Sequence, residues 1–232
     1  MTPVFIDMSL EDPANRVFAF YRRHGLFASL RRGMESLREA VSNTDTVLMY
    51  CDLQTCHSTD SELPAGITIE RRGCLADVPL ADLQKVLNYW NRDIMAKQIR
   101  ERFQQGASAW LVKKNGQLAG YGWTLRGSTM EPHFFPLCEN DVHLFDFVVF
   151  PEFRGQGTNP VLVNRILKVT ASEGCGRAFI EAARRNKRQM KSLGKTPFRT
   201  FGLAKKMSCF GWIWVAWHPI VPNLEQLEGL PR

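Results

Sequence analysis

The chain has 232 residues and is basic, with 30 Lys and Arg against 23 Asp and Glu and a formal net charge of +7. This length is enough for one sizeable hydrophobic core plus an appendage. No apolar stretch approaches the ~20 residues that span a bilayer, and no signal-peptide pattern opens the chain. These features predict a cytoplasmic protein and exclude a helical membrane protein.

The six cysteines show no C-x-x-C spacing, and a chain of this length does not need disulfides for stability. We therefore expect reduced, mostly buried thiols at Cys51, Cys56, Cys74, Cys138, Cys175 and Cys209. Cys51, Cys56 and His57 form a short cluster, but a second ligand pair at zinc-site spacing is absent. The sequence predicts no metal ion.

The first predicted element is an amphipathic helix within residues 14–43, interrupted near Gly25. Apolar residues fall three and four apart in its second half, and arginines lie off that stripe. The apolar positions are Phe27, Leu30, Met34, Leu37 and Val41. Two interpretations fit this pattern: the helix packs on its own domain, or it docks on a membrane surface.

A series of strands and helices follows this segment. Residues 46–53 predict an extra strand, and 54–66 a linker. Residues 66–73 predict a strand, and the helical spacing of 79–106 predicts two short helices. Residues 107–127 predict two strands around Asn115-Gly116, a strong hairpin signal.

The stretch "FPEFRGQGTNPVL" at 150–162 separates two apolar runs. The run before it, 142–150, is rich in β-branched and aromatic residues and predicts a buried strand. The run after it predicts a helix over 159–173, with Asn159 as N-cap and Pro160 at the first helical position. The free N–H groups of a helix start, two glycines and Arg154 favour an anion, so we expect a phosphate group here.

The remaining elements are a strand at 177–183, a short helix from Asn186, and two strands within 198–217. The tail, 218–232, has two prolines near its start, and we expect it to be a surface extension.

The letters R-G-Q-G-T-N behind "VVFPEF" resemble the acyl-coenzyme A signature Q/R-x-x-G-x-G/A of the GNAT superfamily of N-acetyltransferases. Arg154 and Gly157 match this signature, whereas Asn159 replaces the last Gly or Ala. The order of elements over 67–217 also resembles that of a GNAT domain. The resemblance implies an α/β (α+β) fold, with a central mixed, mostly antiparallel sheet flanked by helices, and an N-terminal helical extension.

The same resemblance implies that the chain is divided into three parts. They are an extension with its extra strand and linker at 1–66, the GNAT acyltransferase domain at 67–217, and the tail at 218–232. It also implies acetyl-CoA or another acyl-CoA as cosubstrate, and a set of residues that bind it. These are Val148, Val149, Phe150, Arg154, Gly155, Gln156, Gly157, Thr158, Asn159 and Asn186.

The resemblance also implies the positions of catalytic side chains. This chain departs from the family at two of these positions. In the segment "NKRQMKSLGKTPF" the Tyr that protonates the departing thiolate in many relatives is Leu193, with Ser192 beside it as a weak substitute. Many relatives carry a Glu one residue before the position of Asp146, where this chain has Phe145. The candidate bases are then Asp146, His143 and Glu181.

Strand alternation bears on these candidates. It predicts that residues 142, 144, 146 and 148 share one face of the sheet and 143, 145 and 147 the other. His143 and Asp146 are therefore expected on opposite faces, which argues against a simple dyad. Some relatives use a water chain in place of a fixed base.

We expect the acceptor side to be formed by the helices of 79–106 and the long loop 127–141. This loop carries His133 and two phenylalanines, and it is either functional or an ordinary packed loop. Its acidic residues Glu131, Glu139 and Asp141 are candidates for attracting an amine.

A basic segment, residues 182–207, carries nine Lys or Arg and no acid, so the rest of the chain sums to −2. Its basic residues are Arg184, Arg185, Lys187, Arg188, Lys191, Lys195, Arg199, Lys205 and Lys206. The segment is either a solvated helix face or a surface that attracts coenzyme A phosphates, an anionic acceptor or an anionic surface. Without interleaved aromatic residues, nucleic acid is the less favoured partner.

These observations lead to one interpretation of function and two alternatives. The first is acyl-CoA-dependent N-acyl transfer, with acetyl passed to a small amine-bearing acceptor such as an amino sugar or envelope precursor. Residues 21–53 resemble the leader of GNAT-like proteins tied to bacterial envelope and exopolysaccharide synthesis, which favours the inner face of the cytoplasmic membrane. The alternatives are a catalytically degenerate GNAT-fold scaffold at that face, and an acyltransferase whose acceptor is carried on RNA.

Overall fold

The structure, a computed structural model, describes residues 45–55, 63–130, 133–209 and 212–220. The predicted helix within 14–43, residues 221–232 of the tail, Glu131 and the pair Cys56-His57 lie outside these ranges. The first two residues of the predicted tail, 218 and 219, belong to the last strand. Among the described residues, no helix combines the length and apolar character needed to cross a bilayer. Of the described free cysteines, Cys51 and Cys175 are buried and Cys74 and Cys138 are exposed, so the expectation of buried thiols holds for two of the four.

The described residues form eight strands and four α-helices, in the predicted order. The strands are β1 (Thr46–Asp52), β2 (Ile67–Arg72), β3 (Ser108–Lys114), β4 (Gln117–Arg126), β5 (Asp141–Val149), β6 (Arg177–Ala183), β7 (Arg199–Cys209) and β8 (Trp212–Pro219). The helices are α1 (Leu80–Tyr89), α2 (Arg92–Gln104), α3 (Thr158–Ser172) and α4 (Lys187–Leu193). Short 3-10 turns lie at Leu75–Asp77 and Pro151–Phe153.

The strands form a single sheet in the order β2-β3-β4-β5-β6-β1-β7-β8. Every pairing in this sheet is antiparallel except that of β5 with β6, which is parallel. The extra strand predicted before the linker is thus β1, an interior strand held between β6 and β7. The predicted mixed, mostly antiparallel sheet flanked by helices is confirmed.

Helices cover both faces of the sheet. On one face, α3 buries Leu162, Val163 and Ile166 against apolar residues of β1, β5 and β6, and Leu193 of α4 joins the same core. On the other face, α1 and α2 pack on β3 and β4 through residues such as Val86 and Ile99. Helices on both sides bury the apolar residues of each face, which is why the strands read as nearly continuous apolar runs.

The long loop before β5 is packed against the face that carries α1 and α2. Phe135 is buried, and its ring meets the rings of Phe179 at 5.3 Å and Phe201 at 5.6 Å. These contacts join β6 and β7 in an aromatic cluster with Leu48. The described part of the loop therefore has a fixed place beside β5 and β6.

Helix α3 begins earlier than predicted. Its N-cap is Gly157 and its first residue is Thr158, so Asn159 lies in the first turn and does not cap the helix. Gly157 has a φ of 76°, a left-handed conformation that glycine adopts without a steric penalty. The Asn159 side chain donates instead to the Ser192 hydroxyl of α4, at 2.9 Å.

Candidate functional site

The parallel pair β5 and β6 separates partway along its length. The two strands pair from Asp141 with Arg177 to Leu144 with Ile180, and the pairing stops there. Beyond this point β5 continues on β4, while β6 continues on β1 up to Ala183. A cleft therefore opens in the middle of the sheet, with unpaired strand edges on both sides.

A β-bulge in β5 lies at the start of this cleft. The register with β4 shifts between Tyr121, opposite Val148, and Trp123, opposite Phe145. Asp146 takes a φ of 52° at the bulge, and a Cβ at Gly122 would overlap the ring of Phe147. An extra residue in one strand re-aims the side chains that follow it.

The bulge overturns the predicted alternation. Phe147 packs into the core under α3 with Leu144, while Val148 packs on the α1 and α2 side with Phe145. Asp146 also points to that side, where its carboxylate is paired with Arg102 of α2. Asp146 and His143 therefore lie on the same face, contrary to the prediction.

The glycine loop between β5 and α3 lies at the end of β5, where the cleft is open. Gly155 and Gly157 have φ values of 75° and 76°, and no heavy atom lies within 4 Å of a Cβ built on either. The first backbone bond of α3 runs from the Val161 N–H to the Gly157 carbonyl, so the N–H groups of Thr158 and Asn159 precede the helical ladder. The loop thus presents backbone donors to open space, which suits an anion.

Basic side chains surround this loop. The Arg154 guanidinium donates to the Val149 carbonyl at 3.0 Å and to the Tyr89 hydroxyl at 2.8 Å. Lys114 donates to the Gln156 side chain at 2.6 Å. Lys85 is paired with Glu152 at 2.8 Å and lowers the pKa of that carboxyl group. Arg154 is therefore fastened to the end of β5 and to α1, and it brings its charge to the edge of the cleft.

The backbone N–H groups of β5 that we predicted to bind the cofactor point in different directions. The Phe150 N–H already donates to the Ala119 carbonyl of β4 at 3.0 Å. Because N–H groups alternate in direction along an antiparallel strand, the Val149 N–H points the other way, toward the cleft. Val149 is thus the better placed donor, and the role of Val148 stays a prediction.

Two carboxylates lie on the α1 and α2 face near the cleft, one from each strand. Asp146 of β5 meets Arg102 at 2.6 Å, and the Arg102 guanidinium stacks on Trp123. Glu181 of β6 meets the His143 Nε2 at 2.8 Å. His143 is 4% exposed, whereas the Glu181 side chain is 31% exposed. Glu181 is therefore the open member of a His–Glu pair with a buried imidazole behind it.

His133 completes this group. Its ring lies 5.0 Å from that of His143, and His133, His143 and Glu181 each offer a ligand atom within 4.8 Å of the other two. The contact between His143 and Glu181 could not be predicted from the sequence, because it depends on the register of the parallel strands β5 and β6.

The second segment predicted to bind the cofactor is placed by α4. Asn186 caps this helix by accepting from the Gln189 N–H at 3.1 Å. Ser192 is in contact with Asn159, so the end of α4 lies beside the start of α3. Leu193, at the position of the family's Tyr, is fully buried in the core. No acidic side chain replaces the Tyr at this position.

An aromatic wall lies between α1 and the end of β5, and sequence reasoning did not identify it. Trp90 is 44% exposed, and its Nε1 donates to the Tyr121 hydroxyl at 2.8 Å. Tyr89 packs edge-on against both Trp90 and Phe150, at 5.0 and 5.3 Å. Burial raises the pKa of Tyr121 well above its usual range, so this hydroxyl stays neutral. The sequence feature that could have indicated this wall is the pair of aromatic residues in "NYWN", between α1 and α2.

One acidic residue predicted to attract an amine has another role. Asp141 is 2% exposed and accepts two bonds from Arg177, at 2.8 and 2.9 Å. This pair raises the pKa of Arg177 and joins β5 to β6 at the paired end of the cleft. Asp141 is therefore a structural residue, and the expectation that it faces an acceptor is wrong.

The chain belongs to the GNAT family of acetyltransferases. The family model described as "Acetyltransferase (GNAT) family" matches residues 78–193, half of the chain. The match runs from α1 to the end of α4, so it includes the cleft and the glycine loop. Members of this family use an acyl-CoA cosubstrate and an acceptor. No curated protein matches the sequence.

Two solved structures with TM-scores of 0.50 share this fold at low identity, and a third is reported beside them. A tandem GNAT protein from the clavulanic acid biosynthesis pathway is 16% identical with a TM-score of 0.50, over 82% of this chain and 59% of that one. A Drosophila protein is 13% identical with a TM-score of 0.50, over 85% and 59%. A GCN5-related N-acetyltransferase from Sphaerobacter thermophilus is 16% identical with a TM-score of 0.46, over 86% and 58%. The chain spans less than two thirds of the length of these structures.

Proposed function

We propose that the chain is an acyl-CoA-dependent N-acyltransferase that passes an acetyl group to a small amine-bearing acceptor. The observation that carries this proposal is the cleft between β5 and β6, with the open glycine loop at its end and the His143–Glu181 pair on one wall. Acyl transfer needs a held donor, a deprotonated nucleophile and stabilisation of the oxyanion, and this cleft has a group for each.

The donor is held by the glycine loop. Gly155 and Gly157 leave the space above them open, so a pyrophosphate can approach the backbone of Gln156, Thr158 and Asn159. The pantetheine arm then follows the unpaired edge of β5, where the Val149 N–H is its donor. Arg154 supplies a full positive charge at the same edge. The chemical character of these residues and their order along the cleft fit the pyrophosphate and the pantetheine arm of an acyl-CoA.

Glu181 is the proton acceptor in this proposal. The acceptor amine attacks the thioester carbon, its proton passes to the Glu181 carboxylate, and the carbon–sulfur bond then breaks to release a thiolate. The buried imidazole of His143, 2.8 Å from Glu181, orients that carboxylate. Since Leu193 replaces the family's Tyr, the thiolate takes its proton from solvent or through Ser192.

Asp146 and the aromatic wall bind the acceptor in this proposal. The Asp146 side chain is 36% exposed and is fixed by Arg102, so it can bind an ammonium group without rearrangement. The exposed indole of Trp90 offers an apolar face on which a sugar ring can stack. This combination supports an amino sugar or a similar envelope precursor as the acceptor. A place at the inner membrane face would follow if residues 14–43 dock there.

Calorimetric titration with acetyl-CoA and coenzyme A tests the donor site. Arg154→Glu replaces a cation by an anion at the phosphate site and is expected to weaken binding at least ~10-fold. Arg165→Glu makes the same change on an exposed position of α3 and is expected to leave binding unchanged. Equal affinity in all three proteins would overturn the assignment of the loop.

A second candidate function rests on the two replaced side chains. Leu193 fills the Tyr position within the core, and Phe145 occupies the position of the family's Glu. A GNAT-fold scaffold that binds acyl-CoA or a partner without turnover would have the same fold and loop. Acceptor-dependent release of coenzyme A thiol separates the two, because only the enzyme produces it.

A further inference from the structure

We infer that His133, His143 and Glu181 form a binding site for one divalent transition-metal ion of the zinc class. These three side chains come from three separate parts of the fold: the loop before β5, β5 itself and β6. Among the described residues, they are the group whose ligand atoms could hold an ion, and these atoms lie within 4.8 Å of one another. The inference is independent of the acyl-transfer reaction.

Metal binding would require a small rearrangement of the three side chains. Zinc bonds to nitrogen and oxygen of about 2.0–2.2 Å in a tetrahedron separate neighbouring ligand atoms by about 3.3–3.5 Å. The His143 Nε2 and a Glu181 oxygen are 2.8 Å apart on adjacent strands, so they would separate by about 0.5–0.7 Å to reach this spacing. The His133 ligand atom, within 4.8 Å of the other two, would come closer by a rotation of its side chain.

The donor set selects the class of metal. Two imidazoles and one carboxylate suit zinc and other borderline transition metals, whereas calcium and magnesium require mainly oxygen ligands. Three protein ligands leave a fourth position for water or for a substrate atom. The site therefore differs from a closed structural zinc site with four protein ligands.

The surroundings of the three residues favour an ion. Aromatic rings pack on the two imidazoles: the rings of Phe134 and Phe135 lie 5.4 and 4.9 Å from that of His133, and the ring of Phe145 lies 5.3 Å from that of His143. Apolar neighbours on this side of the site strengthen the attraction between a cation and its ligands.

Occupation of the site has a consequence for acyl transfer, and this part rests on the proposed function. The lone pairs of Glu181 that would accept the amine proton are the ones that coordinate the metal. Zinc should therefore inhibit transfer, and a chelator should restore it. Inhibition would make the cluster a regulatory site within the cleft.

The binding test is calorimetric titration of the chelator-treated protein with Zn²⁺, together with metal analysis of the purified protein. We expect one ion per chain. Loss of an outer-shell partner alone costs about 10–100-fold in metal affinity, so loss of a ligand in His133→Ala or Glu181→Gln should cost at least ~100-fold. His133→Ala changes a loop residue and Glu181→Gln keeps the side-chain shape, so both variants should fold.

Matched variants control for adventitious binding. His218→Ala removes an exposed histidine of β8, and Glu139→Gln neutralises an exposed carboxylate of the same loop; both should bind Zn²⁺ like the wild-type protein. Weak binding by the exposed thiols of Cys74 and Cys138 would persist in every variant. Absence of stoichiometric binding, or equal affinity in His133→Ala, would overturn the metal site. Binding without inhibition of transfer would overturn only the regulatory consequence.

Discussion

Gly157 is the residue on which the loop geometry depends most directly. It has a left-handed φ and also caps α3, so a side chain there strains the backbone by about 1–2 kcal/mol. We expect Gly157→Ala to weaken acetyl-CoA binding ~10-fold, which corresponds to about 1.4 kcal/mol. Calorimetric titration measures this change.

Gly106, at the end of α2, provides a matched control for this substitution. Its φ is 82°, and no heavy atom lies within 4 Å of a Cβ built on it, as at Gly157. Gly106→Ala therefore introduces a similar strain away from the cleft. A similar loss of acetyl-CoA affinity in both variants would show that the effect is general destabilisation and would count against the loop.

Some of the site could be predicted residue by residue. The glycine loop, Arg154 and the missing Tyr and Glu are all local features of the sequence. The partners of the candidate bases are not local, since Glu181 meets His143 only through the parallel register of β5 and β6. Asp146 likewise meets Arg102 across 44 residues of chain, so its ion pair could not be predicted from sequence pattern.

At the scale of elements, the Asp141–Arg177 pair holds β5 to β6 where the cleft begins. Removing one partner of a buried ion pair leaves the other charge uncompensated, which typically costs about 3–5 kcal/mol. Because Arg177 keeps some exposure, we expect Asp141→Ala to lower the free energy of unfolding by about 3 kcal/mol. Urea denaturation of the two proteins measures the difference.

The Arg71–Glu173 pair is the comparison for this prediction. It also joins an arginine to a carboxylate, at 2.6 Å, but both side chains are 41% exposed. Glu173→Ala should therefore cost less than about 1 kcal/mol. If both variants lose the same stability, burial of the Asp141 pair is not the reason for its contribution.

The element boundaries show where pattern reasoning works and where it fails. The Asn115-Gly116 hairpin follows from a local turn signal and lies where predicted, and the two helices within 79–106 follow from periodicity. The bulge at Asp146 does not follow from period-2 alternation, which assumes an uninterrupted ladder. Its signal was on the opposite strand, where Gly120 and Gly122 make room for the backbone and for the Phe147 ring.

At the scale of the molecule, the order of strands and helices was sufficient to predict the fold class. The order of strands in space was not, because it depends on long-range pairing. β1 lies between β6 and β7 although it is the first described strand of the chain. The division at residue 66 stays a prediction, and under it the extension would contribute this interior strand to the domain's sheet.

The proposed activity of the cleft is acyl transfer. Its most direct test is release of coenzyme A thiol from acetyl-CoA, in the presence of a panel of amino sugars, polyamines and other amines. We expect acceptor-dependent release, with kcat reduced ~100-fold or more in Glu181→Gln because a positioned base contributes about 10²–10⁴-fold. Acetyl-CoA affinity should be unchanged in that variant, and Glu173→Gln, which changes an exposed carboxylate at the end of α3, should behave like the wild-type protein.

Two results would contradict this claim. Tight acetyl-CoA binding without thiol release for any acceptor would favour the scaffold function. Release at an undiminished rate in Glu181→Gln would show that another group acts as the base. It would rule out the proposed catalytic role of the His143–Glu181 pair. We expect acceptor-dependent release that is lost in Glu181→Gln.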